Sequence, residues 1–496
     1  MTPFDLVLQR YKFPDFIVPE PLQIDAINQL AVLDNEGFWL DMGTGKTYCS
    51  TVVWLYQHLT RGKRWVVVMP PLLIKQWMRW LRSITDKVTG RPISVVDYRG
   101  TPAERRDKQA ALTTCQVVLV GIQIFKKEYA VFQRAFGSED YFFTVDEPTA
   151  TGVSGLGSDA HDKCYEFSVG HSRALLCGNP SDPGYAYPLA KFTAPGSYRN
   201  FKHYENMHVD ERDFFGNVIS WKNLDVLAGV MKTNSVRILY GDIYKDVDAP
   251  LFDPLPYDLE PAHQKLYRKL AEEEMLKVGE GKLDATTQGK LVHALGQIVC
   301  SWGHFSGDPK DVSNAYKLVQ QKLDELGKKK LVVFTNYRLT VAQLVAQFAK
   351  EGAVFVNGDA TPAQKERAVD RFIEDPSCRL IVIQFKSGGF GLDGLQHVCH
   401  HMMFLEPCTK STTFHQCVAR LRRKGQKNRV WVGLAIANKT NQPRGFINLL
   451  SSDAIANQVI RSEGELRAAI FGEDEIDWSE IKQHLAKNSI AIPEAA

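Results

Sequence analysis

Phe38-Trp39-Leu40-Asp41-Met42-Gly43-Thr44-Gly45-Lys46-Thr47 decides how this chain is read. A short apolar run leads into it, and a helix-compatible run from Tyr48 to Leu55 leads out. Glycines let the backbone curl so that its N–H groups face an anion. The helix that follows aims its positive dipole end at the same place. Lys46 can reach the outer phosphates of a nucleotide, and Thr47 can ligate Mg²⁺. Strand, glycine loop and helix in this order point to a phosphate-binding α/β unit rather than to a plain turn.

A second stretch, far downstream, fits the first. Gln416, Arg420 and Arg423 stand at i, i+4 and i+7 in Thr412–Lys424, before Gly425-Gln426. At about 100° per residue the spacing predicts one helix with all three on a single face. A phosphate loop needs an opposing cation to stabilise charge on the transferring phosphoryl group, and an arginine finger supplies it.

At 496 residues the chain is too long for one core, so two or three domains are expected. Its 44% hydrophobic and 24% charged content is ordinary for a soluble globular protein, and a net charge of +3 argues for no particular partner. Charge is local instead: Lys410, Arg420, Arg422, Arg423, Lys424, Lys427 and Arg429 crowd together with no acid among them. Nine scattered cysteines without C-x-x-C pairing suit a reducing compartment. His397, Cys399, His400, His401, Cys408, His415 and Cys417 match no zinc spacing. No apolar run approaches about 18 residues and no secretory leader is visible, so a soluble, intracellular protein with no membrane partner is expected.

Pro21 to Leu30 reads as an amphipathic helix. Candidate strands follow at Phe38–Leu40, Trp65–Met69, Val117–Val120, Phe142–Val145 and Ala174–Leu176, separated by helical stretches. That alternation predicts a mostly parallel sheet covered on both faces. From 205 to 311 the alternation fades. Pro250, Pro254, Pro256 and Pro261 read as a linker, and Pro261–Lys277 and Thr287–Trp302 as helices around a mobile, glycine-bearing loop, Val278–Thr286. A second alternating block carries strands at Leu331–Phe334, Val354–Val356, Leu380–Ile383, Met402–Leu405 and Val430–Leu434. The expected division is therefore 1–204, a helical spacer 205–311, 312–440 and a helical tail 441–496.

Asp146-Glu147 ends the apolar run Tyr141–Val145. A carboxylate at a strand's C-terminal end, beside a phosphate loop, can hold Mg²⁺, and its neighbour can polarise the attacking water. Asp146 is assigned to the metal with Thr47, and Glu147 to the base.

With these residues in place, the chain resembles the Snf2-like group of superfamily 2 helicase-type ATPases over about 20–435. Gln23 stands where that group has its adenine-reading glutamine. Gly43–Thr47 is similar to motif I, Val66–Trp77 to motif Ia, Asp146-Glu147 to motif II and Leu176–Pro180 to motif III. Val333–Asn336 is similar to motif IV, Ser387–Asp393 to motif V and Gln416–Gln426 to motif VI.

The resemblance implies two RecA-like lobes, each a mostly parallel sheet between helices, with a helical spacer and tail. It implies ATP and Mg²⁺ as cofactors. Catalysis falls to Lys46, Asp146, Glu147, Arg420 and Arg423, and nucleotide binding to Gln23, Gly43, Thr44, Gly45, Lys46, Thr47, Gly391, Asp393 and Gln416. Backbone contacts to nucleic acid fall to Lys75, Gln76, Thr335, Asn336, Ser387 and Gly388. The implied activity is ATP-driven translocation on double-stranded or branched DNA, with single strand or RNA as other substrates. A strand-separating helicase and a scaffold with impaired catalysis are the alternatives.

Four departures stand out: Pro148-Thr149 follow the Asp-Glu pair where the family has a histidine, Asn179 replaces threonine, and Asp393 replaces asparagine. Glu406-Pro407-Cys408 replaces the tryptophan-asparagine-proline before motif VI.

Overall fold

The computed structural model describes residues 1–446 apart from 138, 179, 181–182, 213–217, 245–247, 280–284, 309, 386–391, 393, 409–410, 424 and 444. The chain forms two compact units. The first is Met1–Asp210 with Trp221–Lys245; the second takes Glu211–Ser220 and the chain from Asp246.

The main sheet of the first unit has seven strands among the described residues: β1 Asn35–Leu40, β2 Arg64–Met69, β3 Val95–Asp97, β4 Val117–Gly121, β5 Tyr141–Asp146, β6 Ser172–Cys177 and β7 Ser235–Ile238. They are parallel throughout, in the order β7-β1-β6-β5-β2-β4-β3. Every residue of β5 is buried, as a strand covered on both faces requires. Alternate residues feed opposite faces: Trp65, Val67 and Met69 join one apolar core, Val66 and Val68 the other. Three helices matter for the site: α1 Pro21–Leu30, α2 Lys46–Arg61 and α3 Ile74–Arg82. Pro21 opens α1 at its first turn, and Gly62 in the left-handed region closes α2.

The second unit repeats the plan with β8 Leu251–Tyr257, β9 Leu331–Thr335, β10 Val354–Val356, β11 Leu380–Gln384, β12 His401–Phe404 and β13 Trp431–Ala437. Its order is β8-β13-β12-β9-β11-β10, again parallel. Helices α4 Pro261–Gly279 and α5 Ala285–Ser301 lie between β8 and β9 in the chain, and α6 Ser411–Val418 precedes β13.

Two expectations need correcting. The stretch 205–311 is not helical throughout: it supplies β7 to the first sheet and β8 to the second. The prolines hid β8. Leu251 N–H donates to Val430 O and Tyr257 O accepts from Asn438, so odd-numbered positions face β13. Pro254 and Pro256 have the opposite parity and turn their missing N–H to the open edge, where a strand tolerates proline. The helix predicted over Thr412–Lys424 ends at Val418; beyond it Arg420 and Leu421 make i−3 turns to Cys417 and Val418. Leu421, fully buried, pulls the chain inward, and Gln426 Nε2 caps Leu421 O at 3.3 Å. The face argument for Gln416, Arg420 and Arg423 therefore does not hold as a helical one. The loop expected at 278–286 and the tail beyond 446 fall mainly outside the described residues. All nine cysteines are buried thiols.

Candidate nucleotide site

The loop Asp41–Gly45 leaves the C-terminal end of β1 and turns on itself: Thr44 N–H and Oγ1 both donate to Asp41 O, at 3.2 and 2.7 Å. Gly43 and Gly45 sit at φ +82° and +91°, where an L side chain is strained. A Cβ on Gly45 would also lie 2.5 Å from Gln23 Nε2. Gly45→Ala is expected to cost about 1–2 kcal/mol of stability and to weaken nucleotide binding, measured by thermal melts and nucleotide titration.

Lys46 Nζ donates to Leu40 O at 3.0 Å and stands 3.6 Å from Glu147 Oε1. Asp146 and Glu147 are both nearly fully buried at the end of β5, two strands away from β1 across the same edge. Burial, followed by the charge of Glu147, pushes the Asp146 carboxyl well above its ordinary range, while the Lys46 ammonium opposes the rise. Trp77 Nε1 donates to Asp146 Oδ2 at 3.0 Å. Glu147 adopts a left-handed backbone at φ +53°, tied by its N–H to Leu176 O at 2.9 Å. Such strain in a non-glycine residue persists only when its surroundings hold it.

Glu147 Oε2 is buried and has no hydrogen-bond partner among the described residues. An orphaned carboxylate oxygen beside an ammonium, next to a glycine loop at a helix start, fits a phosphate with its divalent cation. Asp146 and Thr47 would hold Mg²⁺, which would supply charge neutralisation on the phosphoryl oxygens.

Gln23, expected to read the base, lies against the loop backbone. Its Nε2 donates to Thr44 O at 2.7 Å and its Oε1 accepts from Glu20 N–H at 2.9 Å, so both ends of the amide hold backbone. Several site residues carried no sequence signal. Arg237, on β7, pairs with Asp41 at 2.8 Å and donates to Gly178 O at 2.6 Å. Tyr240 N–H donates to Asp41 Oδ2 at 3.0 Å, and Tyr244 donates to Gly43 O at 3.0 Å. Only the placement of β7 beside β1 brings these distant residues to the loop.

Lys75 and Gln76 are exposed on α3. In the second unit, Thr335, expected at a phosphate, is instead fully buried and donates to Glu406 Oε1 at 2.8 Å. Asn336 N–H donates to the same oxygen, and Gln384 Nε2 to Asn336 O at 2.8 Å. Cys300 Sγ, on α5, donates to Glu406 Oε2 at 3.1 Å. Burial raises the Glu406 carboxyl from 4.5 to about 7, against these donors. The folded state then binds the proton more tightly than the unfolded chain. Stability should fall as pH rises from 4.5 towards 7, by up to about 3 kcal/mol. Glu406→Gln is expected to remove the Glu406 share of the slope and leave that of Asp146, read from denaturant melts across the window.

Arg420 is buried in its own unit and donates through Nη1 to Leu392 O at 3.2 Å, whereas Gln416 and Arg423 are half-buried. Ser387, Gly388, Gly391 and Asp393 lie outside the described residues.

Comparisons with known proteins divide the chain later than its compact units do, after α5 rather than before β8. Residues 33–301 match the SNF2-related domain, and 314–425 match the helicase conserved C-terminal domain. Over 135 residues the chain is 24% identical to an uncharacterized ATP-dependent helicase of Schizosaccharomyces pombe, covering 27% of this chain and 13% of that protein. Over 118 residues it is 25% identical to DNA repair protein rad8 of the same organism, covering 23% of this chain and 10% of that one. The matched region is thus a small part of either relative. Among solved structures, the Sulfolobus solfataricus SWI2/SNF2 ATPase core in complex with dsDNA aligns over 92% of this chain and 97% of that chain, at 16% identity and a TM-score of 0.39. Among the described residues no helix is long and apolar enough to cross a membrane. With the first domain match spanning more than half of its length, and the second matching the block that carries Arg420 and Arg423, the chain belongs to the Snf2-like family of superfamily 2 helicase-type ATPases.

Proposed function

We propose that this chain hydrolyses ATP with Mg²⁺ and uses the cycle to translocate on double-stranded DNA. The observation that carries the reading is the buried pair Asp146 and Glu147, with the half-buried Lys46 ammonium 3.6 Å from Glu147, beside the glycine loop. The ammonium takes the outer phosphates, Asp146 and Thr47 take the cation, and Glu147 polarises water. Arg420 and Arg423 supply the opposing positive charge. We assign 1–204 to nucleotide binding and 312–440 to the arginine-bearing lobe. DNA as the polymer is supported by family membership and by one relative being named a DNA repair protein.

The test is the profile of ATPase stimulation by single strand, duplex, fork, four-way junction and RNA, beside triplex-displacement and strand-separation assays. Duplex stimulation with triplex displacement and no unwinding is the expected result. Robust unwinding would convert the reading to a helicase, and no stimulation by any polymer would favour a binding scaffold.

A further inference from the structure

Resting on that reading, we propose that α3 is a mechanical link between a nucleic-acid-facing surface and the Mg²⁺ site, with Trp77 and Trp80 as its positioning residues. The two indoles stand at i and i+3, on one side of the helix. Trp77, fully buried, donates to Asp146 Oδ2 at 3.0 Å. Trp80 donates to Thr51 Oγ1 at 2.9 Å, and Thr51 Oγ1 donates in turn to Thr47 O at 2.6 Å. One helix therefore holds both residues assigned to the cation: Asp146 directly, and Thr47 through the first turn of α2.

Ile74, Met78 and Leu81 of α3 are buried as well, and its other face is outward. Lys75, Arg79 and Arg82 recur at i, i+4 and i+7 and are exposed, with Gln76 beside them. This is a short basic stripe suited to a phosphate backbone. The inner side is stiff: Trp77 packs edge-on against Trp65 at 5.5 Å, and Trp65 stacks on Trp54 at 5.0 Å. A rigid helix gripped at both faces transmits a small rotation from one to the other. Pro148 follows Glu147 and offers no side-chain donor, which leaves the Trp77 indole as the described side-chain hydrogen bond to Asp146.

The test uses the full chain and Trp77→Phe, which removes the indole N–H and keeps an aromatic ring. Binding of a fluorescent, non-hydrolysable ATP analogue is measured with and without Mg²⁺, and binding of a labelled duplex separately. Trp77→Phe should keep Mg²⁺-free analogue binding and duplex binding. It should lose about tenfold of the Mg²⁺-dependent gain, the scale of one hydrogen bond to a charged group, and the duplex stimulation of ATPase should fall with it.

Trp54 donates to Lys63 O at 3.1 Å, away from the site, so Trp54→Phe controls for packing. Trp80→Phe, at a half-buried position, tests the Thr47 arm and should lose part of the same gain. An unchanged Mg²⁺ gain in Trp77→Phe, or an equal loss in Trp54→Phe, overturns the link. Failure of the unsubstituted chain to bind the analogue overturns the reading beneath it instead.

Discussion

Lys46→Ala is expected to remove ATP turnover, by at least about 10²–10³-fold, and to lower stability as well. Lys46 Nζ, 3.6 Å from Glu147, is the charge that opposes the rise in the buried Asp146 carboxyl. Removing one member of a buried pair leaves the other uncompensated, at a cost of about 3–5 kcal/mol. Part of that cost is relieved when Asp146 takes up a proton, so the loss should be smaller at lower pH. The double substitution Lys46→Ala with Glu147→Gln should recover much of the stability and none of the turnover. Phosphate-release assays and thermal melts separate the two effects. Turnover retained in Lys46→Ala would refute the assignment of the loop.

Arg423→Ala should bind ATP as the unsubstituted chain does and hydrolyse it on the order of 10³–10⁵ times more slowly. Arg423 is half-buried, so its truncation is expected to cost less stability than that of the buried Arg420. Arg420 differs. Its buried guanidinium donates to Leu392 O, and Arg420→Ala should cost about 1–3 kcal/mol on top of any catalytic loss. Equilibrium binding of labelled ATP, single-turnover hydrolysis and melts on both variants distinguish a cation for the phosphoryl group from a packing residue. Normal hydrolysis by Arg423→Ala would break the pairing of the two stretches on which the functional reading began.

The interior strands were legible because they are apolar on both faces. Trp65–Met69 and Tyr141–Val145 have helices on either side, so nearly every position must be hydrophobic. The strands missed in the two large sheets, β3, β7 and β8, are all edge strands. An edge needs less apolar sequence and accepts Arg237, Pro254 and Pro256, which read as loop. In the site, Lys46, Asp146 and Glu147 were legible because phosphate chemistry restricts residue type at fixed spacing. Trp77, Arg237, Tyr240 and Tyr244 were not, because an indole, a guanidinium or a backbone N–H can serve the loop from any strand that lies nearby.

Sequence by itself determined two parallel α/β blocks, the glycine loop, the acidic pair and the basic stretch near Arg423, since each is written in contiguous residues under local constraint. Tertiary structure decided which neighbours those residues have. It set Gln23 against Thr44 O, placed Thr335 under Glu406, ended α6 at Val418, and set Trp77 against Asp146. The reason is that hydrogen-bond partners in a parallel sheet come from strands far apart in the chain, and burial, which sets both their strength and the Asp146 and Glu406 protonation equilibria, exists only once the helices have closed over them.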